Sequence, residues 1–391
     1  MKVLIVNTLY YPYKIGGAEI STQVLVEEFS KLGIEVGVLT LGEAFDENVN
    51  INDINVSRLK LENRFWPFST KNESTISKLR WHIKDAYNKS YDDKILKILE
   101  TFTPDIVHTN NLSGFSTRIW ELAKSKQIKV VHTLRDYYLQ CPKTTKNKNG
   151  INCKSICLDC KVLTFIKKRT SSKVDYVVGI SKFILDEHLK EGYFKNVKSE
   201  VIYNGFKFNF EPEKIKFLSN SNVVFGYIGQ INKQKGVELA LEGFRSLKKD
   251  HENKWKLLVA GNVKTEYLDV LKGINNSNNI KYLGYTNSQV FFHSIDVLIV
   301  PSLWNEPFGR VILEAILNNK IVITSNNGGI AEIMENNKHL VFNSNRKDLS
   351  NLLDQIIIDR EQTKFNNNLE FMEKFNITKT VSRYINIFSK I

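Results

Sequence analysis

Short apolar runs alternate with longer stretches of helical periodicity along most of the chain. Val3 to Asn7 reads as a buried strand, and a helix is predicted from about Ala18 to Leu32. Strand-like runs recur at Glu35–Leu39, Asp105–His108, Ile128–His132 and Asp175–Gly179, with helical segments between them. Strands alternating with helices predict a parallel sheet with crossover helices. Ser74 to Thr101 is predicted as one long, charged helical region, more surface than core. From Phe206 to Asn222 the pattern lapses into a polar, Asn-rich link containing Pro212. It restarts with strand-like runs opening at Val223, Trp255, Ile280, Asp296 and Lys320, which predicts a second sheet. From about Asp348 onward the chain is mostly helical, and Thr378 to Ile391 reads as a final amphipathic helix.

The fold class expected is therefore α/β, with two Rossmann-like domains over residues 1–205 and 222–375, a linker at 206–221 and a C-terminal helix at 376–391. A length of 391 residues suits two such cores better than one. With 42% hydrophobic and 25% charged residues, disorder is not the default. The first apolar run ends after Val6 and has no small-residue cleavage site, so it reads as a strand rather than a signal peptide. No uninterrupted apolar run approaches the length of a spanning helix. A soluble, cytoplasmic protein is the expectation.

Net charge changes the picture. The formal charge is +13, and Lys143 to Lys173 holds nine basic residues against one acid, Asp159. Basic proteins seek phosphate, whether on nucleic acid, lipid or substrate. The stretch lacks the regularly interleaved aromatics of a single-strand binding platform, so no nucleic-acid partner is expected. An anionic membrane surface fits it, and so does a solvated loop. The first of these implies peripheral association at the inner face of the plasma membrane.

Glu306-Pro307-Phe308-Gly309-Arg310-Val311-Ile312-Leu313-Glu314 follows the strand that ends at Pro301. Pro307 suits the first position of a helix, and Gly309 with the amides after it would lie in the first turn. Such an end binds phosphate through unsatisfied N–H groups and through its dipole. Glu306 can then hold hydroxyls beyond the terminal phosphate, and Glu314 ribose hydroxyls on the other side. Gly16 and Gly17 sit between the first strand and first helix, where glycine lets backbone approach a ligand. The nicotinamide fingerprint G-x-G-x-x-G is absent there.

These residues resemble the family 4 (group 1) glycosyltransferases of the GT-B fold, whose E-x7-E motif Glu306 and Glu314 match. The resemblance runs over nearly the whole chain, through Gly16-Gly17-Ala18-Glu19, Pro104 to His108, Val201 to Gly205, Lys235-Gly236, Leu258 to Gly261 and Tyr282 to Gly284. It implies two domains facing across a cleft, with the last helix packing back on the first. It also implies transfer of a hexose-type sugar, with retention, from a UDP or GDP donor to a glycan or lipid-linked acceptor in cell-surface polysaccharide synthesis. No cofactor is required for that chemistry. Carried over position by position, it implies catalytic roles for Glu306, Lys235 and Arg135. Donor contacts are implied for Gly16, Gly17, Gln230, Lys235, Glu306, Phe308, Gly309, Arg310, Val311 and Glu314, with the base near Gly261 and Tyr282 to Thr286.

Two positions depart from the pattern. Gln230 stands where the family usually has arginine, and Arg135 where many relatives have histidine. Arginine cannot act as a base at neutral pH but can clamp a phosphate or carboxylate. His108 and His132 read as structural strand residues. With these departures, a sugar-nucleotide binding protein without turnover and a GT-B nucleotide-sugar epimerase stay open as alternatives. Cys141, Cys153, Cys157 and Cys160 are numerous enough for a structural tetrahedral zinc, and their spacing equally suits reduced thiols.

Overall fold

The computed structural model describes residues 1–69, 73–148, 150–208, 217–218, 222–359, 363, 365–366 and 369–391. It divides into two compact units. One comprises Met1–Lys146, Cys153–Lys207 and Glu373–Ile391, the other Asn147–Asn152 and Phe208–Met372. The link expected at 206–221, with Pro212, lies largely outside the described residues.

In chain order the strands are β1 (Lys2–Val6), β2 (Glu35–Gly42), β3 (Glu47–Ile51), β4 (Ile54–Lys60), β5 (Ile106–Thr109), β6 (Lys129–Leu134), β7 (Asn147–Lys148), β8 (Ile151–Asn152), β9 (Tyr176–Gly179) and β10 (Lys198–Val201). There follow β11 (Val223–Ile228), β12 (Trp255–Ala260), β13 (Ile280–Gly284), β14 (Val297–Val300), β15 (Ile321–Ser325) and β16 (Val341–Phe342). The first unit's helices are α1 (Gly17–Lys31), α2 (Thr75–Ala86), α3 (Asp92–Phe102), α4 (Arg118–Ser125), α5 (Leu158–Thr170) and α6 (Lys182–Lys190). Those that follow are α7 (Val237–Arg245), α8 (Thr265–Ile274), α9 (Ser288–His293), α10 (Arg310–Leu317), α11 (Ile330–Ile333), α12 (Arg346–Ile358), α13 (Leu369–Met372) and α14 (Ile377–Phe388).

The first unit holds a sheet in the order β10-β9-β6-β5-β1-β2-β4-β3, parallel except for the edge strand β3. β1 is buried along Val3–Val6, as a strand covered on both faces must be. The edge hairpin β3–β4 was not foreseen from the polar alternation of Glu47–Ile51. Its turn residues Asn52 and Asp53 both have positive φ, the conformation a two-residue hairpin needs.

The predicted region Ser74–Thr101 is two helices rather than one. Buried Asn88 separates them: its amide donates to the Gly114 carbonyl at 3.1 Å, while its side-chain oxygen accepts from the Ser90 amide. Such a turn competes with helix. Trp81, Ile95 and Leu99 carry the region further into the core than expected.

The last helix belongs to the first unit. Ile377, Val381, Tyr384, Ile387 and Phe388 join the cluster of Val3, Ile5, Leu25 and Phe29. Phe29 meets Tyr384 edge-on and tilts against Phe388, and the Tyr384 hydroxyl lies 2.9 Å from that of Thr133.

The second unit's sheet runs β13-β12-β11-β14-β15-β16, wholly parallel. From β11 the chain proceeds to one side through β12 and β13, and from β14 to the other through β15 and β16. The order reverses between β11 and β14, so the loops after these two strands open a crevice beyond their carboxyl ends. Ligands bind at such a switch point in open α/β sheets.

Candidate active site

Lys235 follows β11 and Glu306 follows β14, and the switch point brings them together. Lys235 Nζ donates to Glu306 Oε1 at 2.9 Å, and lies 4.9 Å from the ring centre of Trp304. Glu306 is buried, with 8% of its surface exposed. A short helical turn presents the lysine: the Asn232 side chain caps it by accepting from the Lys235 amide at 3.0 Å. Gly236 ends that turn at φ +74, where a Cβ would lie 1.8 Å from the Pro301 carbonyl oxygen. Only glycine lets the lysine loop lie so close to the end of β14.

The backbone of Glu306 is held from the other side. Its carbonyl accepts from the Gly329 amide at 2.7 Å, in a bridge between Glu306 and Gly328. Gly328, at φ +73, would place a Cβ 2.3 Å from that carbonyl oxygen. Asn327 donates to the Ser302 carbonyl at 2.6 Å. Asn152 donates to the Leu303 carbonyl at 2.7 Å and accepts from the Asn305 amide at 3.1 Å. Gln234 beside the lysine donates to Asn147 at 3.2 Å. The β7–β8 hairpin thus braces both loops. These supports were missed in the sequence, although the Gly328-Gly329 pair in the loop after β15 was a readable signal.

Gly309 is the N-cap of α10 at φ +102, so the helix starts at Arg310 and Pro307 lies outside it. The expectation of Pro307 at the first helical position is corrected: a residue in the left-handed region cannot continue a right-handed turn. The amides of Arg310 and Val311 lie in the first turn and Phe308 is buried. Arg310 Nε donates to Glu314 Oε1 at 2.8 Å, one turn along the same face. Burial lowers the pKa of Arg310 against the opposing pull of Glu314.

Gln230 is exposed, and its carbonyl accepts from the Tyr227 hydroxyl at 2.8 Å. Tyr227 is itself buried, and burial with the nearby Glu306 charge holds its pKa well above the usual phenol range. The loops after β11, β12 and β13 also converge: Gly261, at φ +145, would place a Cβ 2.0 Å from the Gly229 carbonyl, and its amide donates to that of Gly284 at 2.8 Å.

In the first unit the order reverses between β1 and β5. Gly16 caps α1 with φ −151, open to any residue, and its amide donates to Glu19 Oε2 at 2.8 Å. Glycine at Gly16 is therefore a matter of open space and not of backbone strain; Gly17 is the first helical residue. Arg135, after β6, is buried and donates to Asn110 at 2.8 Å through Nε and to Asn204 at 2.6 Å through Nη1. The Asn110 Nδ2 beside it is buried without a hydrogen-bond partner.

His108 and His132 are buried and bonded to Thr133 and Thr109 at 2.8 and 2.9 Å. Burial, with Arg135 nearby, pushes His108 down to about 3, and burial lowers His132 well below the usual imidazole range. Burial thus favours the neutral imidazole in both. Asp136 keeps some solvent contact, yet burial pushes its carboxyl up to about 6.

Cys141 is buried, Cys153 and Cys160 half-buried, and Cys157 exposed. The thiols of Cys141 and Cys157 both interact with that of Cys160, and this bonding lowers Cys141 to about 6 while raising Cys160. Among the described residues no group of three or more His, Cys, Asp or Glu is arranged to hold a metal ion.

Residues 15–209 match the model of Glycosyltransferase Family 4, and residues 209–370 that of Glycosyl transferases group 1. The chain belongs to the family 4, group 1 glycosyltransferases. A relative in Klebsiella pneumoniae, an "uncharacterized 42.6 kDa protein in cps region", is 34% identical over 99% of this chain and 100% of its own. The Staphylococcus aureus capsular polysaccharide biosynthesis glycosyltransferase CapM is 24% identical over 74% of this chain and 83% of its own. Among solved structures, Anabaena HepE in complex with UDP and glucose superposes with a TM-score of 0.71 at 16% identity, covering both chains fully. The two Rossmann-like units are thus those of the GT-B fold, as the resemblance implied. In this glycosyltransferase the two ends of the family motif are differently engaged, Glu306 with Lys235 across loops and Glu314 with Arg310 within one helix.

Proposed function

We propose that the protein is a retaining glycosyltransferase moving a hexose-type sugar from a UDP or GDP donor to a glycan or lipid-linked acceptor in cell-surface polysaccharide synthesis. The observation that carries the reading is the Lys235–Glu306 pair at the switch point, where cation and carboxylate from separate loops meet 2.9 Å apart. A donor diphosphate oxygen competes for Lys235, which leaves the Glu306 carboxylate to accept hydrogen bonds from sugar hydroxyls. The first-turn amides at Arg310 and Val311 support the diphosphate by dipole and hydrogen bond. Glu314 has a second oxygen for ribose hydroxyls while Arg310 holds the first.

Transfer then rests on positioning and on electrostatic support of the leaving diphosphate. The departing phosphate oxygen takes the acceptor proton on the face it leaves from, which gives retention without a protein base and without a step assigned to a metal ion. Arg135, fixed by two asparagines, is assigned to an anionic group of donor or acceptor. The UDP of the HepE complex and the capsule and cps-region relatives support this reading.

Glu306→Gln tests it. Turnover is expected to fall at least a hundredfold, with stabilisation by UDP or GDP retained and the product's anomeric configuration, read by NMR, that of the donor. Wild-type turnover in the variant removes the role of Glu306, and an inverted product removes the mechanism. Epimerised donor formed without acceptor would move the protein to a different reaction.

A further inference from the structure

We propose that the outward face of α2 and α5 docks the protein on an anionic lipid bilayer. The inference goes beyond the transfer reaction and holds whichever sugar is moved.

The two helices pack against each other in the first unit. Their inner sides are conventional: Trp81, Asp85 and Ala86 of α2 and Thr164, Lys167 and Thr170 of α5 are buried. Their outer sides are not. On α2, Ile76, Leu79 and Ile83 recur at three- and four-residue spacing and are 65%, 49% and 56% exposed. On α5, Leu158, Val162 and Phe165 do the same at 76%, 70% and 63%. An apolar stripe of this spacing ordinarily faces a core. Here two of them lie on helices that pack against each other, and both are exposed; large apolar side chains clustered at a surface in this way mark an interaction site.

Charge identifies the partner. Arg80 and Lys84 flank the first stripe, and Lys161, Lys168 and Arg169 lie beside or along the second, all exposed. Among the described residues of the two helices, Asp159 is the one exposed acid. Protein interfaces are depleted in lysine around their apolar centre. A helix with Leu, Ile and Phe on one face and Lys and Arg beside it is the pattern that lies in a lipid headgroup region, with anionic lipid answering the cations. The aromatic loop before α2 adds to it: Trp81 Nε1 donates to the Phe65 carbonyl at 3.0 Å, Trp66 and Phe68 meet edge-on, and Phe68 is 39% exposed. Tryptophan and its neighbours favour the membrane–water interface.

The test is flotation of the full chain with vesicles of phosphatidylcholine, with and without phosphatidylglycerol. Binding is expected to the mixed vesicles, weakening with added salt. The triple change Ile76→Ser, Leu79→Ser and Phe165→Ser should lower the bound fraction about tenfold or more, since each removes a large exposed apolar side chain. Lys84→Glu with Lys161→Glu should abolish the preference for phosphatidylglycerol. Both variants should keep the wild-type melting temperature and nucleotide stabilisation, so failure here is separable from failure of the donor site. The proposal is overturned if the wild type does not float, or if neither variant changes flotation. It is also overturned if sedimentation shows a dimer that the triple variant splits, since the face would then serve a second copy of this chain.

Discussion

Gly328→Ala is the most informative single change, because it moves Glu306 without altering its chemistry. Gly328 has φ +73, a region that costs an alanine roughly 1–2 kcal/mol. Its added Cβ would lie 2.3 Å from the Glu306 carbonyl oxygen and 2.6 Å from the Glu306 nitrogen, whereas ordinary contact begins near 3.4 Å. One of the two loops must therefore retreat by about 1 Å. A displacement of that size at a positioned group costs on the order of a hundredfold in rate. The variant should lose about that factor in sugar transfer, with melting lowered by only a few °C. Transfer is read as nucleotide release from donor sugar in the presence of acceptor extract. Gly273→Ala is the control, since Gly273 lies in α8 with nothing within 4 Å of a Cβ; it should be neutral or slightly stabilising. Wild-type transfer by Gly328→Ala would show that Glu306 need not be held to within an ångström.

Lys167 and Asp85 form a buried pair at 3.1 Å, with Lys167 Nζ 3.3 Å from the ring centre of Tyr138. Lys167→Met leaves a buried carboxylate unpaired and should cost about 3–5 kcal/mol, read as a fall of roughly 10 °C in melting temperature; a fall below 2 °C contradicts this. Asp136 binds its proton more tightly folded than unfolded, because burial raises its pKa to about 6. Its contribution is complete below the ordinary Asp value and is lost as pH rises through about 6. Asp136→Asn should therefore melt progressively higher than wild type between pH 4 and 7, by a few °C at the end; a constant difference would count against it. Asn152→Ala, which removes two hydrogen bonds to Leu303 and Asn305, should lower transfer several-fold, and unchanged transfer would show that the hairpin does not brace the loop.

Much of the architecture was legible. Both parallel sheets follow from apolar runs such as Val3–Val6 and Val297–Val300, which are buried on both faces and so need no polar alternation. The hairpin β3–β4 was missed because Glu47–Ile51 is a half-exposed edge, where little burial patterns the sequence. The helix break at Asn88 depends on hydrogen bonds to residues about 26 positions away, and no local periodicity carries those. At the site, Glu306, Lys235 and the E-x7-E spacing were readable, but their pairing across 71 residues is a product of strand order. The bracing from Asn327, Gly328 and Asn152 arises only once the loops are folded. The stripes on α2 and α5 would be assigned inward on spacing alone; the helices' deeper faces are instead taken by Trp81 and the Asp85–Lys167 pair.

The Lys235–Glu306 pair is proposed as the nucleotide-sugar donor site. Thermal stabilisation by UDP, GDP and ADP, compared between wild type and Lys235→Ala, is the decisive measurement. UDP or GDP should selectively stabilise the wild type, by about 2.7 kcal/mol at a hundredfold excess over Kd, and this stabilisation should be lost in Lys235→Ala. Equal stabilisation of both proteins, or no response to any nucleotide, would contradict the proposed donor site.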